Sequence, residues 1–162
     1  MLLLLIRHAH AGDRDPGQWP DDRDRPLTDK GRKTQRDVSR FLRKRDLVPA
    51  LVLTSPWARA AETAEIVARE LALPNPPVPS LALAAPPDLA RLAADIGERG
   101  ADDVVALVGH SPWMEELAGM LLTGSGSGVR IDYPKSGVME IEIDSVTAGA
   151  GTLRFFLRPK MV

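Results

Sequence analysis

Short apolar runs alternate with longer amphipathic stretches along this chain. Residues 2–6, 50–53 and 104–108 form continuous apolar runs, which is the pattern of short strands that are buried on both faces. The stretches between and after these runs carry apolar residues at helical spacing. The predicted helices cover about residues 28–46, 57–71, 88–98 and 112–124.

Capping residues mark the starts of several of these helices. Thr28 precedes the first helix and is suited to accept from its free backbone N–H groups. Ser55-Pro56 and Ser111-Pro112 each combine a capping serine with a proline, which is favoured at the first helical position. The same type of helix start is therefore predicted after the second and the third apolar run.

The remaining segments predict loops and two tail strands. Residues 9–27 are rich in Gly, Pro and Asp and predict a long loop, a feature that is often functional in compact domains. Residues 74–79 predict a proline-rich connector. In 138–143 glutamates alternate with apolar residues, as in a half-buried edge or antiparallel strand, and 152–157 predicts a further strand.

Strands that alternate with helices predict an α/β sandwich around a largely parallel sheet. In such sheets ligands bind beyond the carboxyl ends of the strands. Arg7 and His8 follow the first apolar run, Arg59 lies one helical turn beyond the second, and His110 follows the third. We therefore expect two histidines and two arginines to meet at one edge of the sheet.

Length and composition exclude several classes of protein and of site. A length of 162 residues fits a single domain over 1–162, and a net charge of -1 does not suggest a nucleic-acid-binding protein. The absence of cysteine excludes disulfides, thiolate zinc sites and cysteine nucleophiles. The apolar run at the N-terminus is too short for a signal peptide, and no stretch approaches the ~20 apolar residues of a membrane span. We expect a monomeric cytoplasmic protein.

Two converging arginines indicate an anion between them, because guanidinium groups bind phosphate oxygens in pairs. An imidazole can attack phosphorus and carry the phosphoryl group covalently. We therefore expect His8 to be the nucleophile, with Arg7 and Arg59 neutralising the transferring group. His110 is expected to donate to the same oxygens, preferably as an imidazolium. A histidine at the end of one strand is more often structural, so this hypothesis depends on all these features following strands in one sheet.

Four segments also resemble motifs of the histidine phosphatase superfamily. Residues 3–9 (LLLIRHA) resemble its hallmark strand followed by Arg-His-Gly, and 53–64 (LTSPWARAAETA) resemble its second-arginine motif. Residues 108–111 (VGHS) resemble its second-histidine motif. Residues 25–31 (RPLTDKG) resemble the segment that opens the first helix in the SixA-type group.

This resemblance implies a three-layer αβα sandwich of the phosphoglycerate mutase type without a large cap domain. It implies a phosphohistidine phosphatase that uses neither a metal nor another cofactor and acts on a phosphorelay or phosphotransfer protein. His8 would be phosphorylated, and Arg7, Arg59 and His110 would line the phosphate pocket. Arg25 would be a further phosphate contact, although it could instead be a loop arginine paired with a neighbouring aspartate.

The chain departs from the family pattern at three points. Ala9 replaces the hallmark glycine, and its methyl group could crowd the phosphate. His10 has no counterpart, so it is either a contact on the rim of the site or a solvent-exposed residue. The superfamily usually supplies an acid to protonate the leaving group; Asp88 is the only candidate in the corresponding region, and it could simply cap a helix. A phosphoramidate substrate needs such an acid less, because a protonated imidazole leaves readily.

Other functions stay open at this point. The chain could hydrolyse small phosphate monoesters, or it could be a non-catalytic module that binds phosphate or phosphopeptides. A metal site built from His8, His10 and His110 is disfavoured because no acidic residues lie beside these histidines in the sequence. The basic residues of the first helix are either a solvated face or a docking surface for an acidic protein. They are Lys30, Arg32, Lys33, Arg36, Arg40, Arg43, Lys44 and Arg45.

Overall fold

A computed structural model describes residues 1–162 and contains six strands and four α-helices. The strands are Leu2–Arg7 (β1), Leu51–Thr54 (β2), Val78–Pro79 (β3), Val104–Gly109 (β4), Val138–Glu142 (β5) and Thr152–Leu157 (β6). The helices are Asp29–Lys44 (α1), Ala58–Glu70 (α2), Leu89–Ile96 (α3) and Trp113–Thr123 (α4). Three short 3₁₀ helices cover Asp22–Asp24, Leu81–Leu83 and Pro159–Met161.

All six strands form one sheet in the order β3-β2-β4-β1-β5-β6. The first four strands of this order are mutually parallel, whereas β5 is antiparallel to both β1 and β6. The prediction of a mostly parallel sheet is confirmed. The tail strand β5 was predicted to be either an edge strand or an antiparallel strand. It is antiparallel and lies inside the sheet, and β6 occupies the edge. The predicted connector 74–79 also contributes the short strand β3.

The sheet separates two apolar cores because successive side chains of a strand point to opposite faces. Leu4 and Ile6 of β1 pack with α1 and α2 on one face. Leu3 and Leu5 pack with α3 and α4 on the other. All four leucine and isoleucine side chains are fully buried. The result is the expected αβα sandwich, and β1, which carries the site residues, lies near its centre.

Two of the predicted helix starts are wrong in detail. The Thr28 hydroxyl caps α1 as predicted, by accepting from the Gly31 N–H at 3.1 Å. In contrast, α2 begins at Ala58 after an extended Trp57, and α4 begins at Trp113. Ser55 does not cap α2 in the usual way because its hydroxyl is bonded to His110. The Ser111 hydroxyl is instead bonded to the Glu115 carboxylate within α4.

None of the helices is long and apolar enough to cross a membrane.

Candidate active site

The ends of β1 and β4 bring the two predicted site histidines together. Arg7 of β1 is paired in register with Gly109 of β4, so the next residues, His8 and His110, emerge side by side. Their ring centroids are 5.2 Å apart. Arg59 reaches the same edge from the first turn of α2, and its side chain is only 5% exposed. The four residues predicted to form the pocket therefore converge at one end of the sheet.

The hydrogen bonding of His8 leaves one ring nitrogen available for attack. Its Nδ1 lies 2.7 Å from the carbonyl oxygen of Ala9, which can only accept, so the ring proton is on Nδ1. Burial and the nearby cations Arg59 and Arg7 lower the pKa of His8 to about 3. The ring is therefore neutral near pH 7, and Nε2 carries an unprotonated lone pair.

His110 is also neutral, which corrects the expectation of an imidazolium. Burial, followed by the neighbouring His8 and Arg59, lowers the pKa of His110 to about 3. The Ser55 hydroxyl oxygen accepts from the Trp57 N–H at 3.3 Å and lies 2.8 Å from His110 Nε2. A Ser55 hydroxyl that donates to Nε2 leaves the imidazole proton on Nδ1, the tautomer in which His110 can donate to an anion. This Nδ1 is buried and has no hydrogen-bond partner in the protein.

Both arginines also have a buried nitrogen without a hydrogen-bond partner. Arg7 donates from Nη1 to the carbonyl of Tyr133, and Arg59 donates from Nη1 to the carbonyl of Asp22 at 2.8 Å. The Nε atoms of both arginines are buried and have no partner in the protein. The Trp57 ring lies 4.9 Å below the Arg59 guanidinium and 4.4 Å from the His110 ring, so it holds both side chains in place. A buried N–H without an acceptor is costly, so the two arginine Nε atoms, together with His110 Nδ1 in the tautomer that donates, indicate a site for an oxyanion.

Arg25 lies close to this pocket, but its donors are largely occupied. Its Nε donates to the Asp22 carboxylate at 2.8 Å, and Nη1 donates to the carbonyls of Ala11 and Gly12. Asp22 also lies 3.3 Å from Arg59 Nη2 and holds both guanidinium groups in place. The arginines together lower the pKa of the Asp22 carboxyl, chiefly through its hydrogen bond with Arg25. Arg25 is therefore paired with an aspartate, which was the alternative to its predicted role as a phosphate contact.

The structure explains two of the departures from the family pattern. The Ala9 side chain is fully buried in a small apolar cluster with Ala11, Leu27 and Ile66, so its methyl group packs among apolar neighbours. Asp88 accepts from the Arg91 N–H at 3.0 Å and caps α3. Asp88 is therefore a helix cap, which was the alternative to its predicted role as the general acid.

His10 has a defined tautomer and is not a free surface residue. The Gly12 N–H donates to its Nδ1 at 3.3 Å, and the Thr28 hydroxyl lies 2.9 Å from the same atom. Nδ1 is therefore the acceptor, and Nε2 carries the hydrogen. Burial and the nearby Lys135 and Lys30 lower the pKa of His10. None of the histidines belongs to a group of residues that could hold a metal ion.

Sequence reasoning missed two residues that position this site. The Thr63 hydroxyl donates to the Arg59 carbonyl at 2.7 Å and accepts from the Ala9 N–H at 3.0 Å, which ties α2 to the backbone that holds His8. Its position four residues after Arg59, on the same helix face, was the available signal. Lys135 was also missed, because it reaches the site from the turn before β5.

Comparison with known proteins is consistent with this arrangement. The model of the histidine phosphatase superfamily, branch 1, matches residues 3–82. An uncharacterised protein of Picosynechococcus is 33% identical over 154 residues, which are 94% of this chain and 91% of that protein. The chain belongs to the histidine phosphatase superfamily. It is a phosphatase, and its recognised motifs carry the residues that converge in the pocket.

Solved structures show the same fold. The protein histidine phosphatase SixA complexed with tungstate superposes with a TM-score of 0.78 and 24% identity over 99% of both chains. The phosphoserine phosphatase of Entamoeba histolytica, in complex with 3-phosphoglyceric acid, gives a TM-score of 0.66 at 16% identity and covers 97% of this chain and 96% of its own. This histidine phosphatase therefore has the SixA-type fold without a large cap domain.

Proposed function

We propose that this histidine phosphatase removes the phosphoryl group from a phosphohistidine of a phosphorelay or phosphotransfer protein, through a covalent intermediate on His8. In this proposal it is a single-domain monomer of the cytoplasm that requires no metal and binds neither nucleic acid nor membrane. The observation that carries it is that His8 Nε2 has no hydrogen-bond partner and lies at the same edge of the sheet as three buried nitrogen atoms that also have none. These are Nε of Arg7, Nε of Arg59 and Nδ1 of His110.

In the first step, the lone pair of His8 Nε2 attacks phosphorus. The substrate phosphohistidine carries a proton on its other ring nitrogen. Its P–N bond breaks, the electron pair stays on nitrogen, and the substrate imidazole leaves as a neutral group. Positive charge gained by the His8 ring is stabilised by the Ala9 carbonyl, which accepts from Nδ1 at 2.7 Å. The buried donors of Arg7, Arg59 and His110 are oriented before the reaction, so they stabilise charge on the equatorial oxygens without reorganising.

In the second step, water attacks the phosphoryl group on His8. The bond between phosphorus and Nε2 breaks, its electron pair returns to Nε2, and both hydrogens of the water leave with inorganic phosphate as H2PO4⁻. His8 is then again neutral, with its proton on Nδ1. No carboxylate is hydrogen-bonded to either His8 or His110. This arrangement suits a phosphoramidate, whose leaving group is protonated before departure, better than an ester, whose alkoxide needs an acid.

A second candidate is the hydrolysis of small phosphate monoesters. The similarity in fold to a phosphoserine phosphatase motivates it. It requires a proton donor for the alkoxide, and Asp88 is engaged as a helix cap.

Phosphate release in EDTA decides between the candidates. The substrates are a phosphohistidine-bearing phosphotransfer domain, a phosphoserine peptide, a sugar phosphate and an aryl phosphate. We expect kcat/KM to be highest for the phosphohistidine domain by at least about tenfold. Equal or higher values for the sugar phosphate or phosphoserine would favour the second candidate. Binding of tungstate without turnover of any substrate would instead favour the non-catalytic module.

A further inference from the structure

A basic groove lies beside the turn that contacts the backbone of Arg7 and His8, and residues near the C-terminus also line it. It has a volume of about 300 Å³ and is lined by three lysines, His10, Thr34, Ser136 and two prolines, with no carboxylate among these eight residues. Lys30, Lys135 and Lys160 line it, and none of these lysines forms an ion pair within the protein. We refer to this feature as the lysine groove.

Lys135 connects the groove to the catalytic pocket. It lies in a turn in which the Gly137 N–H donates to the Pro134 carbonyl at 2.9 Å. The following residue, Ser136, has a φ of 60°, a left-handed conformation that is unfavourable for a residue with a Cβ. Its N–H holds the turn in place by contacting the carbonyls of Arg7 at 3.1 Å and His8 at 3.2 Å. Strain of this kind persists where the surroundings enforce it, which is common at functional sites.

The charge around Lys135 is unbalanced. Lys135 is half-buried, and Arg7, Arg25 and Arg59 lie close enough to disfavour its positive charge, whereas Asp13 is the carboxylate that favours it. Burial and these arginines lower the pKa of Lys135. A bound phosphoryl group would offset the arginines, but Lys30 and Lys160 continue the positive charge beyond the pocket. A second anionic group of the substrate would relieve this excess.

Within the groove His10 adds a neutral donor. Its Nδ1 accepts from the Gly12 N–H, so the ring N–H is on Nε2, which forms no hydrogen bond within the protein. The groove thus offers ammonium groups and an N–H but no carboxylate acceptor. Carboxylates along an extended polypeptide match this set, because they accept only and are spaced along the chain.

We propose that the lysine groove binds acidic side chains that flank the phosphorylated residue of a protein substrate, with Lys135 as the contact nearest the phosphoryl group. This inference rests on the proposed function, because it requires a polypeptide substrate. It assigns recognition to residues that take no part in the transfer of the phosphoryl group. His8 and the arginines act on any phosphoryl donor, whereas the groove selects among polypeptides.

The test uses two peptides of equal length with one central histidine, flanked in one by three Glu and in the other by three Gln. Binding of the unphosphorylated peptides is measured by calorimetry at low salt, and kcat/KM is measured on the phosphohistidine forms. We expect wild type to favour the Glu peptide by about tenfold in both affinity and kcat/KM, because two partly desolvated ion pairs would supply a preference of this size. Added salt should reduce the preference. The Lys135→Ala/Lys160→Ala variant should reduce the ratio to about twofold.

The matched control is Lys33→Ala, which removes an exposed lysine of α1 that is paired with Asp37 at 3.2 Å. It should keep the wild-type ratio. The proposal is overturned if wild type does not distinguish the peptides, if the double variant keeps the preference, or if Lys33→Ala reduces it equally. If the phosphopeptides are not hydrolysed but an aryl phosphate is, the proposed function fails, and binding of the unphosphorylated Glu peptide still decides the groove.

Discussion

The outer face of α1 and the pocket beside His8 are both rich in basic side chains, but their electrostatic surroundings differ. On α1, Arg32 is bonded to Glu62 at 2.9 Å and Arg40 to Glu70 at 3.0 Å; Arg40 is exposed and Arg32 is partly exposed. In the pocket, Arg59 is buried, and its Nε finds no acceptor. The number of basic residues therefore does not identify a functional surface, whereas buried donors without an internal acceptor do so more specifically.

Of the two interpretations of the basic first helix, this difference favours the solvated face. Its ion pairs with α2 and with its own aspartates are those of a solvated face, each of which contributes little to stability. The docking of an acidic partner, which the charge of α1 suggested, is better assigned to the lysine groove, to which α1 contributes Lys30. The predictions below test the contrast between the paired face and the unpaired pocket.

The largest effect is expected from His8→Ala. Loss of the nucleophile should reduce phosphate release by at least ~10³-fold on every substrate. Wild type quenched in alkali should carry an acid-labile phosphoryl group, and the variant should not. A variant that retains more than about a tenth of the activity would show that His8 does not carry the phosphoryl group.

Arg59→Ala should reduce kcat/KM by about 10²-fold, because it removes a preoriented donor to the equatorial oxygens. Arg59→Lys should recover only part of this loss, since an ammonium keeps the charge but not the planar fork. Steady-state kinetics on an aryl phosphate measure both variants. Losses of less than threefold for Arg59→Ala would place the phosphoryl group elsewhere.

The buried histidines should make stability depend on pH. The folded-state pKa values of His8 and His110 are about 3, below the ordinary value of 6.5, so the unfolded state binds more protons between these values. Their contribution is present above pH 6.5 and is lost as the pH falls. From pH 7.5 to 5.5 we expect a loss of about 2–3 kcal/mol in the free energy of unfolding.

Urea denaturation at the two pH values measures this loss. The double variant His8→Asn/His110→Asn should lack this part of the pH dependence and keep the parts due to His10 and the carboxylates. If both proteins lose the same stability, the two histidines are protonated normally in the folded state.

The smallest effect is expected on the outer face of α1. Arg40→Ala breaks exposed ion pairs with Glu70 and Asp37, so the free energy of unfolding should fall by no more than about 0.5–1 kcal/mol. Phosphate release should stay within twofold of wild type. A loss of activity comparable to that of Arg59→Ala would remove the distinction between the two regions.

Much of the fold and of the pocket could be predicted from the sequence because their signals are local. The run before Arg7 fixes a buried strand, and Thr28 fixes the start of α1. The rule that parallel strands share an edge then brings His8, Arg59 and His110 together without knowledge of any contact.

Other features depend on contacts between distant segments. Ser55 has the local pattern of a helix cap, but its hydroxyl is bonded to His110, 55 residues away. The protonation of His110 follows from its burial, which the sequence does not display. Lys135 reaches the pocket only because β5 pairs with β1, a pairing that joins the two ends of the chain.

Because β5 is antiparallel, the residues of its turn can change in evolution independently of the catalytic residues and the core. The parallel strands present their ends at the catalytic edge, whereas β5 presents its beginning, the turn that holds Lys135. The strand itself remains in the core, where Val138 to Ile141 are almost completely buried. Selection can therefore exchange the side chains of this turn, and with them the choice of substrate, while the nucleophile and the packing of the sheet are inherited unchanged.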